Sequence, residues 1–94
     1  MAYIYILTTK NNKMLYIGVT SNLVQRVYEH KQGMIDGFTK QFNIKKLVYY
    51  EQIPDMVQAI KREKVLKEWN REWKNRLINK LNPEWKDLYQ EVCF

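Results

Sequence analysis

Cysteine is almost missing from this chain: Cys93 is the only one among 94 residues. That excludes a disulfide framework and a thiolate metal cluster within the chain, and a reducing cytoplasm is the compartment that fits. Nor is there an apolar run long enough to span a bilayer, or an amphipathic anchor to lie on one. The short apolar stretch at the start, MAYIYIL, has neither a basic leader nor a small-residue cleavage site, so it is expected to be structure rather than a signal peptide. Internal repeats and low-complexity segments are absent. Glycine and proline are scarce, three and two residues, so each one marks a local event. Acidic residues are the minority, ten against sixteen Lys plus Arg, for a net charge of +6. The cations run from Lys10 to Lys86 rather than forming a tail, which favours an anionic partner, nucleic acid ahead of a membrane surface. The length suits one small domain over residues 1–94 with room for one site.

What is present centres on Tyr16 to His30, YIGVTSNLVQRVYEH. Tyr16, Ile17 and Gly18 close an alternating apolar run. Thr20, Ser21 and Asn22 then supply side-chain oxygens able to cap a helix, and Asn22 with Gln25 has close to capping-box spacing. On the helix from about Asn22 to Lys31, Leu23 and Val27 form the buried stripe, with Arg26 and His30 one turn apart along its border. Both can face back toward Tyr16. A basic side chain beside a buried stripe also fits simple snorkelling, and a lone histidine also fits a structural role.

Upstream, Tyr3 to Thr8 alternates β-branched and aromatic residues on two apolar faces, which predicts a central strand. Met14 to Val19 makes the next. With Thr8 paired to Lys13 across a four-residue polar turn, Tyr5 stands directly opposite Tyr16. Downstream, Gly33 caps the helix, and Met34 to Asn43 reads as an irregular connection whose Gly-Phe-Thr-Lys segment is a mobile, basic loop. Ile44 to Gln52 is a third strand. Pro54, at a first helical position, opens a helix to about Trp69. Met56, Ala59, Ile60 and Leu66 share one arc of that helix, and Glu63 falls inside it. A carboxylate aimed at a core must meet a cation, a metal or several donors, or lie at the core's edge, because leaving it buried and unpaired costs several kcal/mol. A purely structural Lys or Arg partner would also serve. Trp69, Trp73, Leu77 and Leu81 continue the helix to about Lys80 with a bend near Asn70, the tryptophans reading as packing residues rather than a base-stacking surface. After Asn82-Pro83, Glu84 to Tyr89 forms a terminal turn or short helix with Trp85 and Leu88 packed down.

Taken together, Tyr5, Tyr16, Gly18, Arg26, His30 and Glu63 resemble the catalytic set of the GIY-YIG nuclease superfamily, in its small standalone UPF0213-like branch akin to the N-terminal domain of the UvrC excision-repair subunit. The resemblance runs from Tyr3 to about Leu88. Tyr16-Ile17-Gly18 is the second signature intact, while Tyr3-Ile4-Tyr5 stands where the first would be, with Tyr3 replacing its glycine. Ten residues separate Tyr16 from Arg26, as the family pattern requires. The resemblance implies an α+β fold with a small three-stranded antiparallel sheet flanked by helices, and hydrolysis of DNA phosphodiester bonds, structure-specific or repair-related. It also implies a divalent metal, Mg²⁺ or Mn²⁺, held chiefly by Glu63. On that model Arg26 neutralises the scissile phosphate and Tyr5 or Tyr16 activates water, with Tyr5 narrowly favoured. Two positions depart from the pattern: Val19 stands where some relatives carry lysine, and His30 where the repair nucleases carry tyrosine. Asn75 matches a polar residue in some relatives, but twelve residues of straight helix separate it from Glu63 by about 18 Å, so it joins the site only if the helix breaks. Two other readings use the same residues: a nucleic-acid-binding module without hydrolysis, and a protein-interaction domain with incidental charge.

Overall fold

Three antiparallel strands form one sheet: β1 (Ala2–Thr8), β2 (Leu15–Thr20) and β3 (Lys46–Ile53), in the order β2-β1-β3. The computed structural model describes residues 1–93. β1 is central because both of its faces are apolar, and the two faces feed two separate clusters. Ile4 and Ile6 join Ile17, Val48, Ala59, Leu66 and Ile78 on one side; Tyr5 and Leu7 join Leu23, Val27, Ile44 and Leu47 on the other. Helices α1 (Leu23–Lys31) and α2 (Phe38–Gln41) follow β2 in sequence, and α3 (Met56–Glu68), α4 (Arg71–Leu81) and α5 (Tyr89–Val92) follow β3. The apolar stripe of α1 covers the Tyr5 face, whereas α3 and α4 cover the Ile4 face.

The β1–β2 register differs from the sequence expectation by two residues. Thr8 pairs with Leu15, and Tyr5 stands opposite Gly18 rather than Tyr16. Lys13 and Met14 are drawn into the turn instead. The Thr9 amide and the Thr8 hydroxyl both donate to the Met14 carbonyl, at 3.3 and 2.7 Å, while the Lys13 amide donates to Thr9 Oγ1. A two-residue shift preserves side-chain parity, so Tyr5 and Tyr16 remain on one face as diagonal neighbours with ring centroids 6.2 Å apart. A bulge in β3 between the partners of Ile6 and Leu7 shifts that pairing by one residue.

Both ends of α1 match their sequence signals. Asn22 Oδ1 accepts from the Gln25 amide, but the Asn22 amide itself donates to Thr20 Oγ1 rather than to the Gln25 side chain. At the other end the Gly33 amide donates to the His30 carbonyl and the Met34 amide to that of Glu29. This is a Schellman motif with Gly33 at φ +67°. Pro54 lies outside α3, whose cap is Asp55, accepting from the Gln58 amide. The expected bend near Asn70 is a full break, with Trp69 extended and Asn70 capping α4. Trp69 and Trp85 pack against the core, whereas Trp73 is half exposed and packs edge-on against Trp69, with ring centroids 5.9 Å apart. From α4, Arg71 reaches across to the β1–β2 turn and donates to the carbonyls of Asn12 and Lys13 at 2.7 and 2.8 Å, its Nε held by Asn75 Oδ1.

Gly18 is set by the ring facing it. A Cβ there would lie 2.4 Å from both Cζ and Oη of Tyr5, so any side chain must push the buried phenol out of place. Gly18→Ala is expected to cost about 1–3 kcal/mol, the range for overpacking a filled interior, measured as a drop in urea midpoint at unchanged m-value. An alanine variant as stable as the parent would show that the ring moves freely.

Candidate functional site

Tyr5, Tyr16 and His30 form a three-ring cluster on the α1 face of the sheet. The ring centroid of His30 lies 5.7 Å from that of Tyr5 and 5.5 Å from that of Tyr16. Chain geometry brings them there: Tyr5 and Tyr16 are diagonal on adjacent strands, and His30 comes off the last turn of α1, whose apolar side is seated by Leu23 and Val27. His30 is only 2% exposed, more buried than a position on the border of the stripe implies. Both ring nitrogens are bonded, Nε2 to the Tyr5 hydroxyl at 3.1 Å and Nδ1 to Thr39 Oγ1 at 2.9 Å.

Thr39 is the site contact that the sequence did not reveal. It lies on α2, so the Gly-Phe-Thr-Lys segment is a short helix tied by a buried hydroxyl to His30 and not the mobile loop expected from its composition. Four residues with one buried threonine give too little periodicity to register as a helix. The one available signal was Gly37, which takes φ +112° as its N-cap.

The electrostatics follow from burial. Tyr5 is 1% exposed, and desolvation raises its pKa well above that of a free phenol, with the nearby Tyr16 adding to the rise and Arg26 opposing it. His30 shifts the other way. Burial, with the Arg26 charge beside it, lowers its pKa and keeps the imidazole neutral at physiological pH. A neutral imidazole carries one N–H, so when Nδ1–H donates to Thr39, Nε2 is free to accept from the Tyr5 hydroxyl. Arg26 is more open, its side chain 42% exposed and 3.5 Å from Glu29 across one turn, so its charge faces both the cluster and solvent.

Glu63 lies apart from this group. It sits on the packed side of α3 between Ala59 and Leu66, which are fully buried, and its side chain is 16% exposed. Met56 and Ile60, expected in the same buried arc, are exposed instead. The reason is helical phase: residues 59, 63 and 66 follow the i, i+4, i+7 stripe, and α3 turns that narrow stripe toward β1 and β2. Because α3 covers the opposite face of the sheet, no hydrogen bond or ion pair among the described residues links Glu63 to Tyr5, Tyr16, Arg26 or His30. Its cation is Lys67, at 3.6 Å one turn on. Asn75 likewise contacts none of the four and instead holds Arg71. No group of three or more His, Cys, Asp or Glu side chains able to hold a metal occurs among the described residues. A lone carboxylate does fit a hard cation such as Mg²⁺, which takes one or two carboxylates and keeps water and phosphate oxygens for the rest of its shell.

The sequence matches the family described as GIY-YIG catalytic domain over residues 1–82. A UPF0213 protein of Syntrophus aciditrophicus is 39% identical over 83 residues, covering 87% of this chain and 93% of that one. A second UPF0213 protein, from Clostridium perfringens, is 33% identical over 92 residues and 98% of each chain. The solution NMR structure of a UPF0213 protein from Bacillus halodurans superposes over 100% of both chains with a TM-score of 0.58 at 23% identity, a likeness of fold.

The neutral, buried His30 makes stability depend on pH. Its folded pKa lies below the value near 6.5 of an unfolded chain, so below about pH 6.5 the unfolded state takes up a proton that the folded state refuses. Stability is therefore expected to hold above pH 6.5 and to fall as the pH drops from there through the folded pKa. Urea unfolding of the parent and of His30→Gln between pH 8 and pH 5 checks this, since the variant should lose stability less steeply. Identical slopes would remove His30 as the source.

Proposed function

This chain belongs to the GIY-YIG family, and from that premise we propose that it is a divalent-metal-dependent endonuclease acting on DNA, with Tyr5, Tyr16, Arg26, His30 and Glu63 as its working side chains. The family domain suggests nucleic-acid binding, and GIY-YIG nucleases are generally metal-dependent. The observation that carries the proposal is the Tyr5–Tyr16–His30 cluster with Arg26 beside it. A buried phenol bonded to a neutral imidazole, a second phenol ring packed on both and a half-exposed guanidinium beside them are parts for moving a proton next to a bound phosphate.

In this mechanism Arg26 draws the scissile phosphate to the α1 face through charge-assisted hydrogen bonds. Burial alters the division of labour between the phenols. The sequence narrowly favours Tyr5 as the group that activates water, but its ring is closed off from solvent, whereas Tyr16 is only partly buried. Tyr16 therefore meets the attacking water and takes its proton while giving its own hydroxyl proton to Tyr5, which in turn gives its hydroxyl proton to Nε2 of neutral His30, whose Nδ1–H donates to Thr39. No free phenolate is required. Glu63 would hold the metal, Mg²⁺ or Mn²⁺, which supplies Lewis-acid stabilisation of charge on the phosphate and leaving oxygen. The phenols and Glu63 arise from opposite faces of the sheet, and β2, an edge strand, is the one a phosphodiester must straddle to meet both. No helix among the described residues is long and apolar enough to cross a membrane. A cytoplasmic, repair-related role belongs to the same proposal and is supported by the near absence of cysteine and by the family resemblance.

One observation favours the second reading, a binding module without hydrolysis: the Glu63 carboxylate already has Lys67 as its cation. Glu63→Gln, Tyr16→Phe and Tyr5→Phe separate the two on plasmid, single-stranded and branched DNA with Mg²⁺, Mn²⁺ or chelator. The nuclease reading expects the parent to cut only with metal and Glu63→Gln to abolish cutting while keeping DNA binding. Tyr16→Phe should lose about 10²-fold or more in rate, and Tyr5→Phe a smaller factor. Salt-dependent binding without cleavage of any substrate would establish the binding module.

A further inference from the structure

A cleft of about 680 Å³ opens between the β1–β2 turn and the end of α2, lined among others by Lys10, Lys13, Met14, Phe42 and Asn43. A second cleft of about 300 Å³ shares Lys10 and Asn43 with it and adds Lys31, Lys45 and Lys46. Among the described residues its one carboxylate, Asp87, is taken by Lys31, and Lys46 bonds Asn12 Oδ1 at 2.6 Å. Lys10, Lys13 and Lys45 have no side-chain hydrogen bond or ion pair among the described residues. Three uncompensated cations along two clefts that share Lys10 and Asn43 select a polyanion.

The wall of the cleft adds a second kind of contact. Phe42 is 41% exposed, and its ring leans on the equally open Phe38 at a centroid distance of 5.0 Å. Two phenylalanines facing water beside free lysines are the combination that binds single strands, with aromatic faces for bases and ammoniums for phosphates. Duplex DNA offers the lysines the same phosphates but keeps its bases stacked and out of reach of a ring.

The cleft adjoins the candidate site at two points. Met14, one of its lining residues, packs on the same core cluster as Tyr16. Phe42 ends the short helix whose Thr39 is bonded to His30.

We propose that this cleft binds a single-stranded stretch of DNA leading away from the cleavage point, with Phe42 stacking on a base and Lys10 and Lys13 neutralising phosphates. The proposal rests on the nuclease reading and names the form of its substrate. It predicts preference for DNA in which an unpaired stretch adjoins the bond to be cut.

Binding is measured with chelator present, so that cleavage plays no part, using a labelled oligothymidylate of about 15 nucleotides and a blunt duplex of similar charge. Phe42→Ala should weaken oligothymidylate binding by roughly 5- to 100-fold, the effect of losing one stacked base, and leave duplex binding within about twofold. Lys10→Ala with Lys13→Ala should reduce the slope of log K against log salt by about 1.4 on the single strand, about 0.7 for each phosphate that is no longer neutralised. Phe42→Leu, which keeps apolar bulk without the π face, should behave as Phe42→Ala does, with melting temperature as the check on folding. Parental oligothymidylate affinity in Phe42→Ala, or equal losses on single strand and duplex, would overturn the cleft assignment while leaving the nuclease reading in place. A parent protein that binds neither DNA form in a salt-dependent way would overturn both.

Discussion

The contact on which the site depends is the ring of Tyr5 lying against the bare backbone of Gly18. It fixes three things together. The phenol sinks to the level of the β2 backbone, where it is dry enough for its proton to be held tightly. Its hydroxyl comes within reach of His30 from the end of α1. And Tyr16, two residues before the glycine, is left as the diagonal neighbour rather than the direct opposite of Tyr5, which separates the phenols into one buried and one partly buried group. A side chain at residue 18 disturbs all of these at once, so the glycine of the Tyr-Ile-Gly signature serves packing first and chemistry through it.

From that contact outward the structure is layered by polarity. The Ile4 face of the sheet is closed by α3 and α4 through aliphatic side chains, with a polar network of Tyr49, Glu51 and Arg62 at its margin. The Tyr5 face carries rings and hydroxyls instead, each buried polar side-chain atom having a partner among the described residues. That completeness matters energetically, because His30 with either nitrogen unbonded would carry a desolvation cost of about 1–3 kcal/mol. Thr39 removes that cost, and in doing so it commits the chain between α1 and β3 to one path over the site.

Much of this was legible in the residues. The apolar faces of Tyr3 to Thr8 marked a central strand, the Asn22 and Gly33 signals bracketed α1 correctly, and the order and spacing of Tyr16, Gly18, Arg26 and His30 identified the family. The misses share a cause, which is that period and propensity describe faces but not distances. The β1–β2 register was two residues out because the turn absorbs Lys13 and Met14 through bonds to the hydroxyls of Thr8 and Thr9 that no alternation pattern encodes. Met56 and Ile60 lie on an apolar arc as readily as Ala59 does, and only the approach of α3 to the sheet decides which side is covered. Glu63 was recognisable as a half-buried carboxylate, yet a helical wheel cannot tell on which face of the sheet its helix lies. Thr39 gave no signal beyond a glycine two residues before it.

The clasp that Arg71 makes on the β1–β2 turn bears on how that turn behaves as a surface. Its two bonds to the carbonyls of Asn12 and Lys13 join segments 59 and 58 residues apart, and Asn75 stiffens the guanidinium that makes them. A polar turn of this kind ordinarily samples many backbone states, each residue fixed on binding costing roughly 1–2 kcal/mol of conformational entropy. Here that ordering is accomplished when α4 docks, as part of folding. The ammoniums of Lys10 and Lys13 therefore project from a backbone already held still, and a polyanion that settles on them meets a rigid pair of charges instead of having to organise one.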